Sequence, residues 1–219
     1  MTREIVDIAV FTTLAALAAT MVMLAPGIGL AWLLARRQFP GKSLIETFVS
    51  LPLVMPPVAT GLLLLWLFSG RGPVGALLAR AGIEVVFTPA AVVLAMSVMG
   101  LPLMVRTARA GFEQVTRRYE QIAETLGAGP WRVFSTVTLP LATRNILAGA
   151  MLGFSRALGE FGATIVVAGS IPGRTRTLAV GIYTFTETGQ DRQAIVLLIV
   201  SVSIAFAAVL TSNRLARES

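Results

Sequence analysis

Residues 8–35 read IAVFTTLAALAATMVMLAPGIGLAWLLA, 28 positions without a charge. A helix rises 1.5 Å per residue, so about 20 apolar residues cross the roughly 30 Å hydrocarbon core of a bilayer. Three further uncharged runs reach that length: 47–70, 85–105 and 193–213, of 24, 21 and 21 residues. A fifth apolar region, Ile146–Ile171, is interrupted by Arg156 and Glu160. The pattern predicts an all-α integral membrane protein, a single polytopic bundle with spans near 8–35, 47–70, 85–105, 141–169 and 193–213. The first run is too long for a signal-peptide core and lacks a small-x-small cleavage site, so it reads as a retained helix.

The rest of the composition agrees. Of 219 residues, 55% are hydrophobic and 13% charged, against roughly 25% charged in an ordinary soluble domain. Mean hydropathy is +0.79. The chain has no Cys and no His, which excludes disulfides, thiol nucleophiles, imidazole bases and Cys/His metal sites. The net charge of +7 does not point to nucleic acid, because most Lys and Arg lie in short segments between apolar runs.

That placement sets an expected orientation. With five spans, one side carries eleven basic residues: Arg36, Arg37, Lys42, Arg106, Arg109, Arg117, Arg118, Arg132, Arg144, Arg214 and Arg217. The other carries six: Arg3, Arg71, Arg80, Arg174, Arg176 and Arg192. The positive-inside rule puts the N-terminus outside and the C-terminus in the cytoplasm. Prolines mark expected starts and bends. Pro140 suits the first turn of a helix, Pro102 should kink the third span, and Pro52, Pro56 and Pro57 disturb the first turns of the second. Residues 71–84 read as an outer loop with one short helix. Residues 172–192 read as an outer loop or a partly re-entrant element.

The segment 106–139 is long for a connection between helices. Charged Arg117, Arg118, Glu120, Glu124 and Arg132 alternate there with apolar Val115, Ile122, Leu126, Val133 and Phe134. Gly127-Ala128-Gly129-Pro130 breaks the stretch, with Gly favoured at a helix end and Pro at the next helix start. Two short amphipathic helices outside the membrane are expected, a knob suited to a groove on a partner. An amphipathic helix lying on lipid is the alternative.

Within this segment Glu120-Gln121-Ile122-Ala123-Glu124-Thr125-Leu126-Gly127, followed by nine residues and Val137-Thr138-Leu139-Pro140, resembles the "EAA" loop of ABC-importer permease subunits. Gln121-Ile122-Ala123 stands where that family prefers Glu-Ala-Ala, while the Gly127 spacing and Leu139-Pro140 match fully. Three further stretches are similar to molybdate-type permeases: Leu51 to Pro57, Phe154 to Thr164, and Ile171 to Thr177. The Arg156-to-Gly162 element is similar in sulfate permeases too. The resemblance implies a type I importer permease fold in a bacterial or archaeal plasma membrane, working as a homodimer. It also implies two ATPase subunits on the cytoplasmic side and an external binding protein that delivers the oxyanion. Glu120 to Gly127, with Val137, Leu139 and Pro140, would then be the coupling helix, seated in a cleft of the ATPase. The motion would be alternating access.

Arg156 and Glu160 are four apart, so they share a helix face and can pair. A charge at the bilayer centre costs about 2.5–3.5 kcal/mol on insertion scales, so such residues face a bundle interior or water. Two readings stand: the region Ser155, Arg156, Gly159, Glu160, Phe161, Gly162 and Thr164 lines the translocation path or its gate, or the ion pair locks packing. Exchanging the two charges is expected to leave assembly intact and alter transport. Gly149 and Gly153 form a GxxxG packing face. Arg174 and Arg176 either attract the binding protein or the anion, or belong to a solvated loop.

Catalytic motifs are missing. A Walker A loop requires Gly six positions before Lys42, but position 36 is Arg, so ATP and Mg are expected on the partner and no cofactor on this chain. There is no Gly-x-Ser-x-Gly elbow either. The chain is expected to be a transport subunit and not an enzyme, carrying molybdate, with tungstate or sulfate as alternatives. A stand-alone secondary transporter is a further alternative. Inverted repeats or a second intramembrane carboxylate would favour it, and neither is evident. A receptor or scaffold role is the remaining option.

Overall fold

A computed structural model describes residues 2–218, with every regular element among them helical. Helix α1 spans Thr2–Arg36, α2 Lys42–Val54, α3 Pro57–Phe68, α4 Gly75–Arg80 and α5 Pro89–Gln114. Then come α6 Arg117–Thr125, α7 Pro130–Val133, a π-helical turn Phe134–Thr138, and α8 Leu139–Leu158. Helices α9 Gly162–Val167, α10 Leu178–Glu187 and α11 Asp191–Glu218 complete the order. Four helices are long and apolar enough to cross a membrane, and a fifth span results if the bent pair α2–α3 counts as one. Arg214 and Arg217, used above for orientation, lie outside the residues whose side chains are described.

Helix α1 is 35 residues, about 52 Å at the standard rise, so it outreaches the hydrocarbon core. Glu4 in its first turn and Arg36 in its last both complement the helix dipole. Helix α5 is the centre of the bundle, packed along both α1 and α8. Glycines let α5 and α8 meet backbone to backbone. A Cβ on Gly149 would lie 2.9 Å from the Met104 carbonyl oxygen, and one on Gly100 2.9 Å from that of Gly153. The GxxxG face of α8 is thus filled by α5 at Gly149 and by Met23 of α1 together with α5 at Gly153.

Two of the expected spans are broken into separate helices. The run 47–70 is divided at Met55-Pro56, where α2 and α3 diverge by 116°. Two consecutive prolines supply no N–H and push the preceding residue into an extended conformation; Met55 has φ −69 and ψ 145. The apolar region after Pro140 is also divided, because α8 ends at Leu158 and α9 begins at Gly162. Helices α3 and α9 pack on one another, so both discontinuities fall side by side. A Cβ on Gly162 would stand 2.7 Å from Pro57 Cβ, and one on Gly61 2.8 Å from the Ala163 backbone.

Pro140 lies in the first turn of α8, as expected, but the helical path does not begin there. Helix runs without interruption from Pro130 to Leu158, so the second short amphipathic helix of the 106–139 segment is the first part of a spanning helix. The widened turn Phe134–Thr138 immediately precedes Pro140, which cannot donate to the carbonyl four residues earlier. Residues 172–192 also have more order than a loop: α10 buries Leu178, Val180 and Phe185, packing with Ile5 and Ile8 of α1 and Leu197 of α11.

Candidate functional site

The segment between α5 and α8 is built around a left-handed glycine. Gly127 has φ +84, and the hydrogen bonds Ala128 N–H to Ala123 O (3.0 Å) and Gly127 N–H to Glu124 O (2.9 Å) close α6 as a Schellman motif. No atom lies within 4 Å of where a Gly127 Cβ would be, so the requirement for glycine is conformational and not steric. Helix α6 exposes Tyr119, Ile122 and Leu126, the last 83% exposed, and Trp131 follows beyond the turn. Gln121, Glu124, Thr125, Gly127 and Pro140 are also exposed, whereas Ala123, Val137 and Leu139 are half-buried. An apolar stripe at i, i+3 and i+7 on a projecting helix suits a partner groove.

Glu120 does not share this surface. It is turned inward: one carboxylate oxygen pairs with the Arg36 Nη2 cation at 3.0 Å and accepts from Thr138 Oγ1 at 2.6 Å. Sequence placed it with the contact residues, but its partners on α1 and the π-turn make it the anchor of α6. Arg36 Nη2 also donates to the Val115 carbonyl at 2.9 Å. Neither Arg36 nor Thr138 stood out in the sequence, since their partner lies 84 and 18 positions away. A second polar cluster was equally silent. Arg109 bonds Glu46 at 2.8 Å and Glu113 at 2.7 Å, and Arg106 bonds Ser50 at 3.0 Å. Glu46, Ser50, Arg106 and Arg109 line a cleft of about 520 Å³ between α2 and α5.

At the junction of the broken helices, Arg156 and Glu160 pair at 2.6 Å. They do not lie on one helix, because Glu160 falls in the break after α8. Its second oxygen accepts the Ala163 N–H at 2.7 Å and so satisfies an open donor at the start of α9. Glu160 is 1% exposed and Arg156 27%; a carboxylate this deep requires both the cation and the amide. The candidate pathway residues separate into two sets. Ser155 and Gly159 are exposed and Arg156 is half-buried, whereas Glu160, Gly162 and Thr164 are buried. Ser155 Oγ donates to the Met151 carbonyl. Phe161 packs at a tilt against Tyr183, with ring centroids 5.0 Å apart. Thr164 Oγ1 and Thr60 Oγ1, on the facing helices α9 and α3, are buried without partners.

At the far end of α1, the Thr-x-Thr of residues 175–177 holds a tight loop. Fully buried Thr175 donates to the Ala168 carbonyl at 2.9 Å and accepts from Ile171 N–H at 3.1 Å. Thr177 caps α10 by accepting from Val180 N–H. The two arginines there have different fates. Arg174 is exposed, while Arg176 bonds Glu4 and Ser170, both at 3.1 Å, and sits over the Phe185 ring. Arg176 is thereby a tie between the loop and α1, and Arg174 is the more exposed of the two; both line a cleft of about 360 Å³ with Arg3, Glu4 and Asp7.

Comparison with known proteins places this architecture. Residues 27–215 match the family described as binding-protein-dependent transport system inner membrane component. The molybdenum transport system permease protein ModB of Escherichia coli K12 is 48% identical over 195 residues, which cover 88% of this chain and 85% of that protein. The sulfate transport system permease protein CysT of the same organism is 36% identical over 88% of this chain and 71% of its own length. Among solved structures, a bacterial ABC transporter that imports the acidic polysaccharide alginate aligns with TM-score 0.76 at 16% identity, covering 100% of this chain and 80% of that one. The MetNI methionine ABC transporter, in inward-facing conformations, aligns with TM-score 0.72 at 14% identity, covering 100% and 95%.

Proposed function

The chain belongs to the binding-protein-dependent transport system inner membrane components, and we propose that within this family it is the permease subunit of an ATP-driven molybdate importer. The observation that carries the substrate is the 48% identity to a molybdenum permease over 88% of the chain. Sulfate is the second reading, favoured by the 36% identity to a sulfate permease. The two ions are tetrahedral dianions, and a pathway that conducts one by transient contacts discriminates weakly against the other. Selectivity then rests largely on an external binding protein.

In this reading two copies of the chain form the translocation unit, and two ATPase subunits bind on the cytoplasmic side. ATP and Mg act on those subunits. The exposed stripe of Tyr119, Ile122 and Leu126 seats in each ATPase, with Gly127 fixing the turn that presents it. Closure of the ATPases moves both segments. Because α7, the π-turn and α8 are one helix, displacement of the segment reaches the α8–α9 break directly. The pathway runs past that break and the adjoining α2–α3 break. There Arg156, partly exposed and balanced by Glu160, attracts the dianion without holding it. Arg174 faces the incoming binding protein.

The test is uptake of labelled molybdate by cells carrying this chain with its ATPase and binding protein, with excess sulfate or tungstate as competitors. Uptake that sulfate does not suppress supports the molybdate reading. Uptake suppressed equally by an equal amount of sulfate favours the second.

A further inference from the structure

Helix α1 is fastened at both ends. At one end, Arg36 joins three elements through a single nitrogen, Nη2: the Val115 carbonyl at the end of α5, and Glu120 of α6, whose carboxylate also holds Thr138 of the π-turn. The Arg36, Glu120 and Thr138 side chains are only 10%, 17% and 1% exposed, so water does not compete strongly for these bonds. One turn earlier on α1, Trp32 packs edge-on against Phe134 of the π-turn, centroids 5.5 Å apart. Toward the other end, about a third of the way along α1, fully buried Thr12 accepts the Leu178 N–H at 2.9 Å, the first residue of α10. Arg176 of the same loop reaches Glu4 at 3.1 Å.

We propose that α1 is a strut between the coupling segment and the 170–178 loop, with Arg36 and Thr12 as its positioning residues. This rests on the importer reading above, in which α6 meets the ATPase and the loop meets the binding protein. The arrival of a loaded binding protein shifts the loop and α10 against Thr12. A continuous helix transmits that shift axially, and the Arg36–Glu120–Thr138 clasp passes it to α6. The strut thereby carries the signal that raises ATP hydrolysis when substrate is delivered.

The experiment uses the assembled complex in proteoliposomes and reads the ratio of ATP hydrolysis with molybdate-loaded binding protein to hydrolysis without it. In Arg36→Gln the ratio should fall roughly tenfold or more, on the scale of a lost hydrogen bond between charged groups. Thr138→Val and Thr12→Val keep side-chain shape and remove one bond of the clasp or of the loop tie; each should lower the ratio by about threefold. A purely structural contribution would reduce the amount of complex and leave the ratio unchanged. An unchanged ratio in assembled Arg36→Gln overturns the proposal. If that variant does not assemble, an unchanged ratio in both threonine variants overturns it. A wild-type complex without ATP-driven uptake refutes the importer reading itself, and the strut with it; wild-type uptake with unmoved ratios refutes the strut alone.

Discussion

The ion pair at the helix break is unequal, and this makes a sharp prediction. Removing Arg156 strands a carboxylate that is 1% exposed, whereas removing Glu160 strands a guanidinium that is 27% exposed and can reach water. Breaking a buried pair by deleting one partner typically costs about 3–5 kcal/mol, while replacing both with neutral groups is often close to neutral. Arg156→Met should therefore cost about 4 kcal/mol. Glu160→Gln should cost about 2, because Arg156 partly resolvates and the amide oxygen still accepts from Ala163 N–H. The double variant should recover to within about 2 kcal/mol of wild type, giving a coupling energy of about 4 kcal/mol or more. In a chain of this length 1 kcal/mol moves the melting temperature by roughly 2–4 °C, so Arg156→Met should melt at least 8 °C lower in detergent. Equal and additive effects of the two single substitutions would refute the reasoning. From sequence, exchange of the charges is expected to leave assembly intact and alter transport; the Ala163 N–H contact predicts a cost in assembly as well. A guanidinium at position 160 would face the Ala163 N–H, a donor against a donor, so the exchanged protein should assemble poorly on a gel-filtration profile.

Three other outcomes follow from particular contacts. Gly149→Leu drives a Cβ against the Met104 carbonyl and should cost about 1–3 kcal/mol of overpacking, read as a lower melting temperature. Gly127→Asn, which tolerates positive φ, should retain transport, while Gly127→Val, strained by roughly 1–2 kcal/mol at φ +84, should lose most of it in uptake assays at equal membrane abundance. Arg174→Ala should weaken binding-protein affinity without altering melting. Arg176→Ala should do the reverse, since it unties Glu4, Ser170 and Phe185.

What was legible in the sequence was local. Uncharged runs of 21 to 28 residues announce a helical membrane protein whatever their partners. The turn at Gly127 follows from its spacing to Pro130, and the Arg156–Glu160 pair from a separation of four. The break at Pro56 was visible as a disturbance, but its 116° angle depends on α3 packing against α9. Long-range partners were beyond reach: Glu120 reads as an exposed helix charge until Arg36 is brought beside it. Arg176 reads as a loop charge until Glu4, 172 residues away, is known to meet it. Pro140 showed the first turn of α8 but not that helix precedes it. A proline suits a helix start, yet a preceding π-turn accommodates it equally well inside a continuous helix.

The central claim is that ATP hydrolysis on a partner docked at α6 drives molybdate through this chain. Its most direct test is molybdate accumulation in proteoliposomes holding the complete complex, with loaded binding protein on one side and ATP on the other. Wild-type complex should accumulate molybdate only with hydrolysable ATP, and Leu126→Asp, which places a carboxylate in the apolar stripe, should abolish accumulation while the chain itself melts as wild type. Accumulation without ATP, or undiminished in Leu126→Asp, would contradict the account.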